Sequence, residues 1–280
     1  MVRPDAPSTT PGPPSSGSPR SPLVVTNLSK ARSGRELWKD VTVTFDAGTT
    51  TSIVGPSGVG KSTFLQCLGL LETTTSGSIA YEGSELSRAR GRARRRLHRD
   101  VFGFLFQDYG LVDSWTVAQN LDVALTAQRV PSRERAGRRS AALRRIDLEG
   151  VEATKVSRLS GGEQQRVALA RLVLHEPRVV LADEPTAALD DANAETVLDV
   201  LRELADDGAV VIVATHDLRL VAASERVLEL DGATAFVRPR VGSRHGDDDD
   251  DANAADDDRS CGGGCRDDGP RLGSADGLRG

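Results

Sequence analysis

GPSGVGKS, running from Gly55 to Ser62, is the stretch on which the reading of this chain turns. It fits the pattern G-x-x-x-x-G-K-[ST], in which small residues let successive backbone N–H groups turn inward around an anion. The N-terminus of the helix that follows adds its partial positive charge. Ser52-Ile53-Val54 before it reads as the end of a strand, and Thr63-Phe64-Leu65-Gln66-Cys67-Leu68 after it as the start of a helix. That strand, loop and helix predict a phosphate cradle built from Gly55, Pro56, Ser57, Gly58, Val59, Gly60, Lys61, Ser62 and Thr63. Lys61 is expected on the β and γ phosphates and Ser62 on Mg²⁺, so the expected ligands are ATP and Mg²⁺.

Downstream, Val179-Val180-Leu181-Ala182 is a short apolar run that ends in Asp183-Glu184, as suits a buried parallel strand delivering two carboxylates at its C-terminal end. Phosphoryl transfer needs mainly positioning and charge neutralisation, so Asp183 is expected in the Mg²⁺ shell and Glu184 beside the attacking water. Between these strings lies LSGGEQQR, Leu159 to Arg166. Ser160 and Glu163 form an S-x-x-E capping box, and an apolar helix follows until Pro177. Capping does not account for Gly161 and Gly162, which cost helix propensity in a first turn and predict close approach of a ligand to the backbone.

The three strings in this order resemble the ATP-binding cassette (ABC) family of ATPases, from about Leu23 to about Arg238. The resemblance implies an α/β P-loop NTPase fold of ABC type, with a mostly parallel core sheet, a flanking antiparallel β subdomain and an inserted helical subdomain at about 85–157. It implies that Gln107 in LFQDYG senses Mg²⁺ and the lytic water, and that His216 in ATHD contacts the γ-phosphate. It implies that Ala188-Leu189-Asp190 crosses a dimer interface, with Asp190 in the nucleotide site. Two chains would close head to tail, with Ser160, Gly161 and Gly162 of one reaching ATP held by the other. The chain departs from the family where an aromatic side chain usually stacks on adenine; Leu28-Ser29-Lys30 is followed by Ala31 and Arg32, which leaves Arg32 or Trp38 for that role.

FGFLFQDYGLVDSWTVAQNL and ADEPTAALDDANAETV are most similar to cassettes of the lipoprotein-releasing, macrolide-efflux and bacteriocin-export group. The implied partner is a separate integral membrane permease, the implied cargo lipophilic or peptidic, and the implied location the cytoplasmic, inner face of the membrane. A cassette driving a non-transport partner, such as one signalling to cell-wall enzymes, is the alternative.

Composition bounds the remainder. The 280 residues suffice for one large core but not for two cassettes, and no apolar run approaches the roughly 20 residues that span a bilayer. The net charge of −5 belongs to the C-terminal stretch, which holds five Arg against eleven Asp. Residues 1–22 are rich in Pro, Ser and Thr, and 242–280 in Asp and Gly, so both are expected to be disordered tails around a cassette at 23–241. Cys261 and Cys265 lack the His or second Cys pair of a zinc site, and Cys67 is expected in the core. RGRARRRLHRD, Arg90 to Asp100, is basic enough for nucleic acid. It lacks interleaved aromatics, so no nucleic-acid partner is expected; the resemblance implies a charged helix of the kind such cassettes commonly carry, and a basic face near an anionic leaflet is the equal alternative.

Overall fold

The computed structural model describes residues 21–187, 189–232 and 235–239. Ten strands and seven helices follow in the order β1 (Leu23–Arg32), β2 (Arg35–Phe45), β3 (Thr49–Val54), α1 (Lys61–Leu68), β4 (Ser76–Tyr81), β5 (Ser84–Glu85), α2 (Gly91–Asp100), β6 (Phe102–Leu105), α3 (Val117–Ala127), α4 (Ser132–Arg144), α5 (Gly161–His175), β7 (Val179–Asp183), α6 (Asp191–Asp206), β8 (Val210–Ala214), α7 (Leu218–Ala223), β9 (Arg226–Leu230) and β10 (Ala235–Pro239). The tails expected at 1–22 and 242–280, with Cys261 and Cys265, lie outside the described residues except for Ser21 and Pro22.

Two sheets carry the fold. A six-stranded sheet runs β10-β9-β3-β8-β7-β6, and a four-stranded antiparallel sheet runs β2-β1-β4-β5. In the larger sheet β3 pairs in parallel with both β8 and β9, and β7 with both β6 and β8. Only β10 is antiparallel, closing a hairpin on β9. VVLA in β7 and VVIVA in β8 are buried throughout, as strands covered on both faces must be.

Each face has its own core. On one, Trp38, Phe45, Phe64, Leu68 and Ile79 pack α1 and the small sheet against Ile53, Leu181 and Ile212. On the other, Leu121, Leu125, Leu143, Val167 and Leu201 pack α3, α4, α5 and α6 against Leu105, Val180 and Val211. Cys67 is fully buried on α1, as expected, and burial pushes its thiol up to about 12.

One expectation needs adjustment. The span at 85–157 is not continuously helical: β6 enters the central sheet beside β7, so residues 102–105 belong to the catalytic core and the helical layer begins after Gln107. FGFL is a four-residue apolar run, too short for periodicity to separate strand from helix. β1 ends at Arg32 and turns into β2 through Ser33 and Gly34, both with positive φ. That pair of left-handed residues is the geometry of a tight hairpin turn.

Candidate functional site

The phosphate loop starts where β3 ends. At Gly55 the backbone has φ 150°, and a Cβ there would sit 2.1 Å from the carbonyl oxygen of Leu230 at the end of β9. Glycine is therefore required, because the obstruction is backbone and cannot move aside. Gly58 and Gly60 also take positive φ, and Gly60 caps the N-terminus of α1 without any side-chain acceptor. The first N–H groups of the helix consequently face the loop unpaired by a side chain. Lys61 folds back over the same loop, with Nζ donating to the carbonyl oxygens of Gly55 at 2.9 Å and Pro56 at 3.4 Å.

These elements wall a cavity of about 590 Å³ lined by Arg32, Leu37, Gly55, Ser57, Gly58, Gly60, Lys61, Ser62, Thr63, Gln107, Glu184, Ala187 and His216. Pro56 and Val59 are not in the lining. Val59 is buried and plugs the loop from beneath, its Cγ1 3.2 Å from the Cβ position of Gly55. Trp38 is fully buried under Gly60, edge-on to Phe64 at 5.1 Å between ring centroids. It supports the loop and presents no face to the cavity, so of the two side chains considered for stacking only Arg32 lies at the site.

Strands β7 and β8 lead into Glu184 and His216 in the lining of that cavity, while Asp183, outside the lining, is joined to it through Ser62. Ser62 Oγ donates to Asp183 Oδ1 at 3.0 Å. Burial raises the Asp183 carboxyl above the usual carboxylate range, with the nearby Glu184 charge adding to the rise, while the Ser62 hydroxyl and Lys61 oppose it. Glu184 has φ 47°, a left-handed conformation that costs a side chain of this kind about 1–3 kcal/mol. Its N–H still bonds Ala214 O at 2.8 Å, while Oε2 lies 2.9 Å from His216 Nδ1 and 3.4 Å from His216 N. The turn thus trades backbone comfort for a carboxylate held against an imidazole whose side chain is 75% exposed to the cavity and solvent.

Behind this pair sits a network that motif reading did not single out. Thr186 Oγ1 donates to Asp217 Oδ2 at 2.9 Å, joining the turn after Glu184 to the turn after His216. Asp217 also caps α7 and accepts from the Arg219 guanidinium, whose hydrogen bonds pull the Asp217 carboxyl down to about 2. The available signal was the acidic residue directly after His216 in ATHD, an N-cap type ahead of an apolar helix.

Ser160, Gly161, Gly162 and Asp190 are not part of the cavity and form a second cluster at the start of α5 and α6. The capping box is complete: Glu163 N donates to Ser160 Oγ at 3.3 Å, and Glu163 Oε2 accepts from Ser160 N at 2.8 Å. The Ser160 N–H and hydroxyl, both donating to Oε2, hold the Glu163 carboxyl below its usual range. A Cβ on Gly161 would lie 3.1 Å from the Tyr109 hydroxyl, and one on Gly162 3.4 Å from Asn193 Nδ2. Asp190 caps α6, its Oδ1 accepting from Asn193 N at 2.9 Å, and Asn193 Oδ1 accepts from Arg166 Nη1 at 2.7 Å. Leu189 is described beside this cluster, whereas Ala188 lies outside the described residues.

The donor set fits a hard cation beside a polyphosphate. Ser62 Oγ and Asp183 Oδ1 are oxygen donors already in register at the mouth of the loop, and Mg²⁺ takes one or two such protein oxygens together with water and phosphate. Among the described residues there is no grouping of three or more His, Cys, Asp or Glu side chains that would hold a metal unaided. No helix among them is long and apolar enough to cross a membrane.

Comparison with known proteins gives a consistent answer. The sequence model described as ABC transporter matches residues 38–187. The chain is 38% identical over 192 residues to the macrolide export ATP-binding/permease protein MacB of Mannheimia succiniciproducens, covering 69% of this chain and 30% of that protein. It is 40% identical over 195 residues to MacB of Shigella dysenteriae, covering 70% and 30%. The chain thus spans under a third of the length of these curated relatives. Among solved structures, the dimeric post-hydrolysis state of the ATP-binding cassette MJ0796 bound to ADP and Pi superposes with a TM-score of 0.73 at 32% identity, covering 79% of this chain and all of that one. CbiO1 from Clostridium perfringens, part of the transporter complex cbiONQ, does so with 0.68 at 28% identity, covering 78% and 88%. With the family model matching more than half of its residues, a P-loop between parallel strands and LSGGEQQR at the head of α5, this chain belongs to the ABC transporter family of ATPases.

Proposed function

We propose that the chain hydrolyses ATP as the nucleotide-binding subunit of a transporter, pairing with a second cassette on ATP binding and driving a separate integral membrane permease. The observation that carries the reading is the convergence on one cavity of Lys61, Ser62 and the Glu184–His216 pair, with Asp183 reached through its hydrogen bond from Ser62. The loop from Gly55 to Thr63 binds the phosphates through backbone N–H groups, and Lys61 leaves its own carbonyls for phosphate oxygens. Ser62, Asp183 and Gln107 would hold Mg²⁺, which supplies charge neutralisation to the phosphates. Glu184 orients and deprotonates the attacking water, and His216, held by Glu184, is placed to donate to the phosphoryl group.

Ser160, Gly161, Gly162 and Asp190 lie apart from the cavity of their own chain, as residues that serve a partner's nucleotide would. The dimeric form of the MJ0796 cassette supports a homodimer or paired cassette here. The name of the MacB relatives, macrolide export ATP-binding/permease protein, supports a membrane permease as partner and export as the direction; the proposed cargo is lipophilic or peptidic. Such a cassette would work peripherally on the inner face of the cell membrane, with no nucleic-acid partner.

The test is Glu184→Gln. It should bind ATP with near-native affinity and hydrolyse it ~100-fold or more slowly, the usual contribution of a positioned base. Trapped with ATP and Mg²⁺ in its native membranes, the variant should co-purify with a polytopic membrane protein. Native turnover by the variant would remove Glu184 from its role. Recovery of soluble partners alone would remove the permease.

A further inference from the structure

We infer that Arg171 is a positioning residue, which ties the loop carrying Gln107 to the helix that begins at Ser160. Arg171 is the fifth-to-last residue of α5, in VALARLVLH, and half-buried; among the described residues its guanidinium has no carboxylate within ion-pair distance. Instead Nη1 donates to Gly110 O at 2.6 Å and Nη2 to Tyr109 O at 3.0 Å. A charged donor set aside from solvent and spent on two adjacent carbonyls is a costly arrangement unless it fixes those carbonyls. Both belong to residues with positive φ, Tyr109 at 61° and Gly110 at 56°, so the chain must make a left-handed double turn to present them. Burial lowers the Arg171 pKa, consistent with a guanidinium inside the wall and not on the surface.

The same loop touches α5 a second time. The Tyr109 hydroxyl lies 3.1 Å from where a Cβ on Gly161 would stand, so the ring spans from the Gln107 loop to the first turn of the helix. The loop thus meets α5 at its first residue and again ten residues on, so a displacement of the helix would be transmitted to the residues two and three positions after Gln107. The inference rests on the reading of Gln107 as a residue of the hydrolytic site.

The test uses Arg171→Gln and Arg171→Lys in the full chain, Gln107→Ala, and the Arg171→Gln/Gln107→Ala double variant. Amide hydrogen exchange on the nucleotide-free protein reads the strap without any chemistry: Arg171→Gln should speed exchange of the 106–112 segment several-fold, with the core of α5 unchanged, and Arg171→Lys should restore part of the protection. ATP affinity should stay within about two-fold while kcat falls about ten-fold, a loss of roughly 1.4 kcal/mol in barrier terms. In the double variant the Arg171 change should add nothing to Gln107→Ala, because one acts through the other. Unchanged exchange at 106–112, or losses in kcat that multiply in the double variant, would overturn the inference. Native kcat for Gln107→Ala would overturn the reading of Gln107 itself, an outcome told apart from failure of the strap because exchange still reports the strap.

Discussion

Ser160 offers a substitution that separates its structural from its functional duty. Its hydroxyl accepts from Glu163 N at 3.3 Å and donates to Glu163 Oε2 at 2.8 Å. Ser160→Ala removes both bonds and should cost about 1 kcal/mol, the usual worth of an N-cap. For a cassette of this size that is a fall of ~2–4 °C in Tm. Ser160→Asp keeps a cap acceptor of equal rank and adds a negative charge at the favourable end of the helix, while crowding Glu163 returns a few tenths of a kcal/mol. Its Tm should therefore lie at or above that of the alanine variant. Against the phosphates of an ATP held by a second chain, however, the added carboxylate meets like charge. At about 4 Å and an effective dielectric of about 20, each unit pair costs ~4 kcal/mol, close to three orders of magnitude in association. The assay is light-scattering mass in the Glu184→Gln background with and without ATP and Mg²⁺. The parent should form a dimer, the alanine variant a weakened one, and the aspartate variant none at the same ATP concentration. An aspartate variant that dimerises like its parent would refute the argument and reduce Ser160 to a helix cap.

Two further outcomes are expected. Arg32→Ala should weaken ATP binding several-fold while leaving binding of inorganic triphosphate unchanged, measured by displacement of a fluorescent nucleotide; equal ATP affinities for the two proteins would end the stacking role. Asp217→Asn should lose about 1 kcal/mol at pH 7 after allowance for solvent screening, because Arg219 holds the native carboxyl down at about 2. A depressed carboxyl stabilises the fold above its unfolded value near 3.8 and loses that contribution as pH falls toward 2, so the two proteins should converge in urea melts across that window. A stability gap that persists unchanged through the window would mean that packing, and not charge, is what Asp217 supplies.

Residues that act through contiguous backbone were legible from the chain, and residues that act through distant neighbours were not. Gly55 to Ser62, Asp183-Glu184 and Ser160 to Glu163 each announce a local geometry by spacing alone, and strand, turn and capping box stand where the spacing puts them. Trp38 could not be placed, since its burial depends on a loop that folds over it from 22 residues downstream and on Phe64 behind it. The same holds for β6, whose strand identity comes from the edge of β7 and not from its own four residues. Thr186 and Arg171 were missed because each makes its contact between elements far apart in the chain, whereas Asp217 carried a local signal, an N-cap type ahead of an apolar helix, and Arg219 binds it from two residues on. Arg32, by contrast, was found through a gap in a pattern, the missing aromatic, and the structure puts it in the wall of the cavity.

The place of β3 in the sheet has a consequence for synthesis. Its two hydrogen-bonding neighbours are β8 and β9, and Thr50 N donates to the Glu225 carboxylate, 175 residues ahead in the chain. Leu230 O is the atom that closes on Gly55. A ribosome adding ~5–20 residues per second therefore exposes the loop residues for roughly ten to thirty seconds before the strands that hold them exist. During that interval β3 is a strand with both edges unpaired, open to chaperones and to other nascent chains. A transcript cut short between His216 and β9 would yield a polypeptide with every phosphate-binding residue but without the strand whose Leu230 carbonyl closes on Gly55.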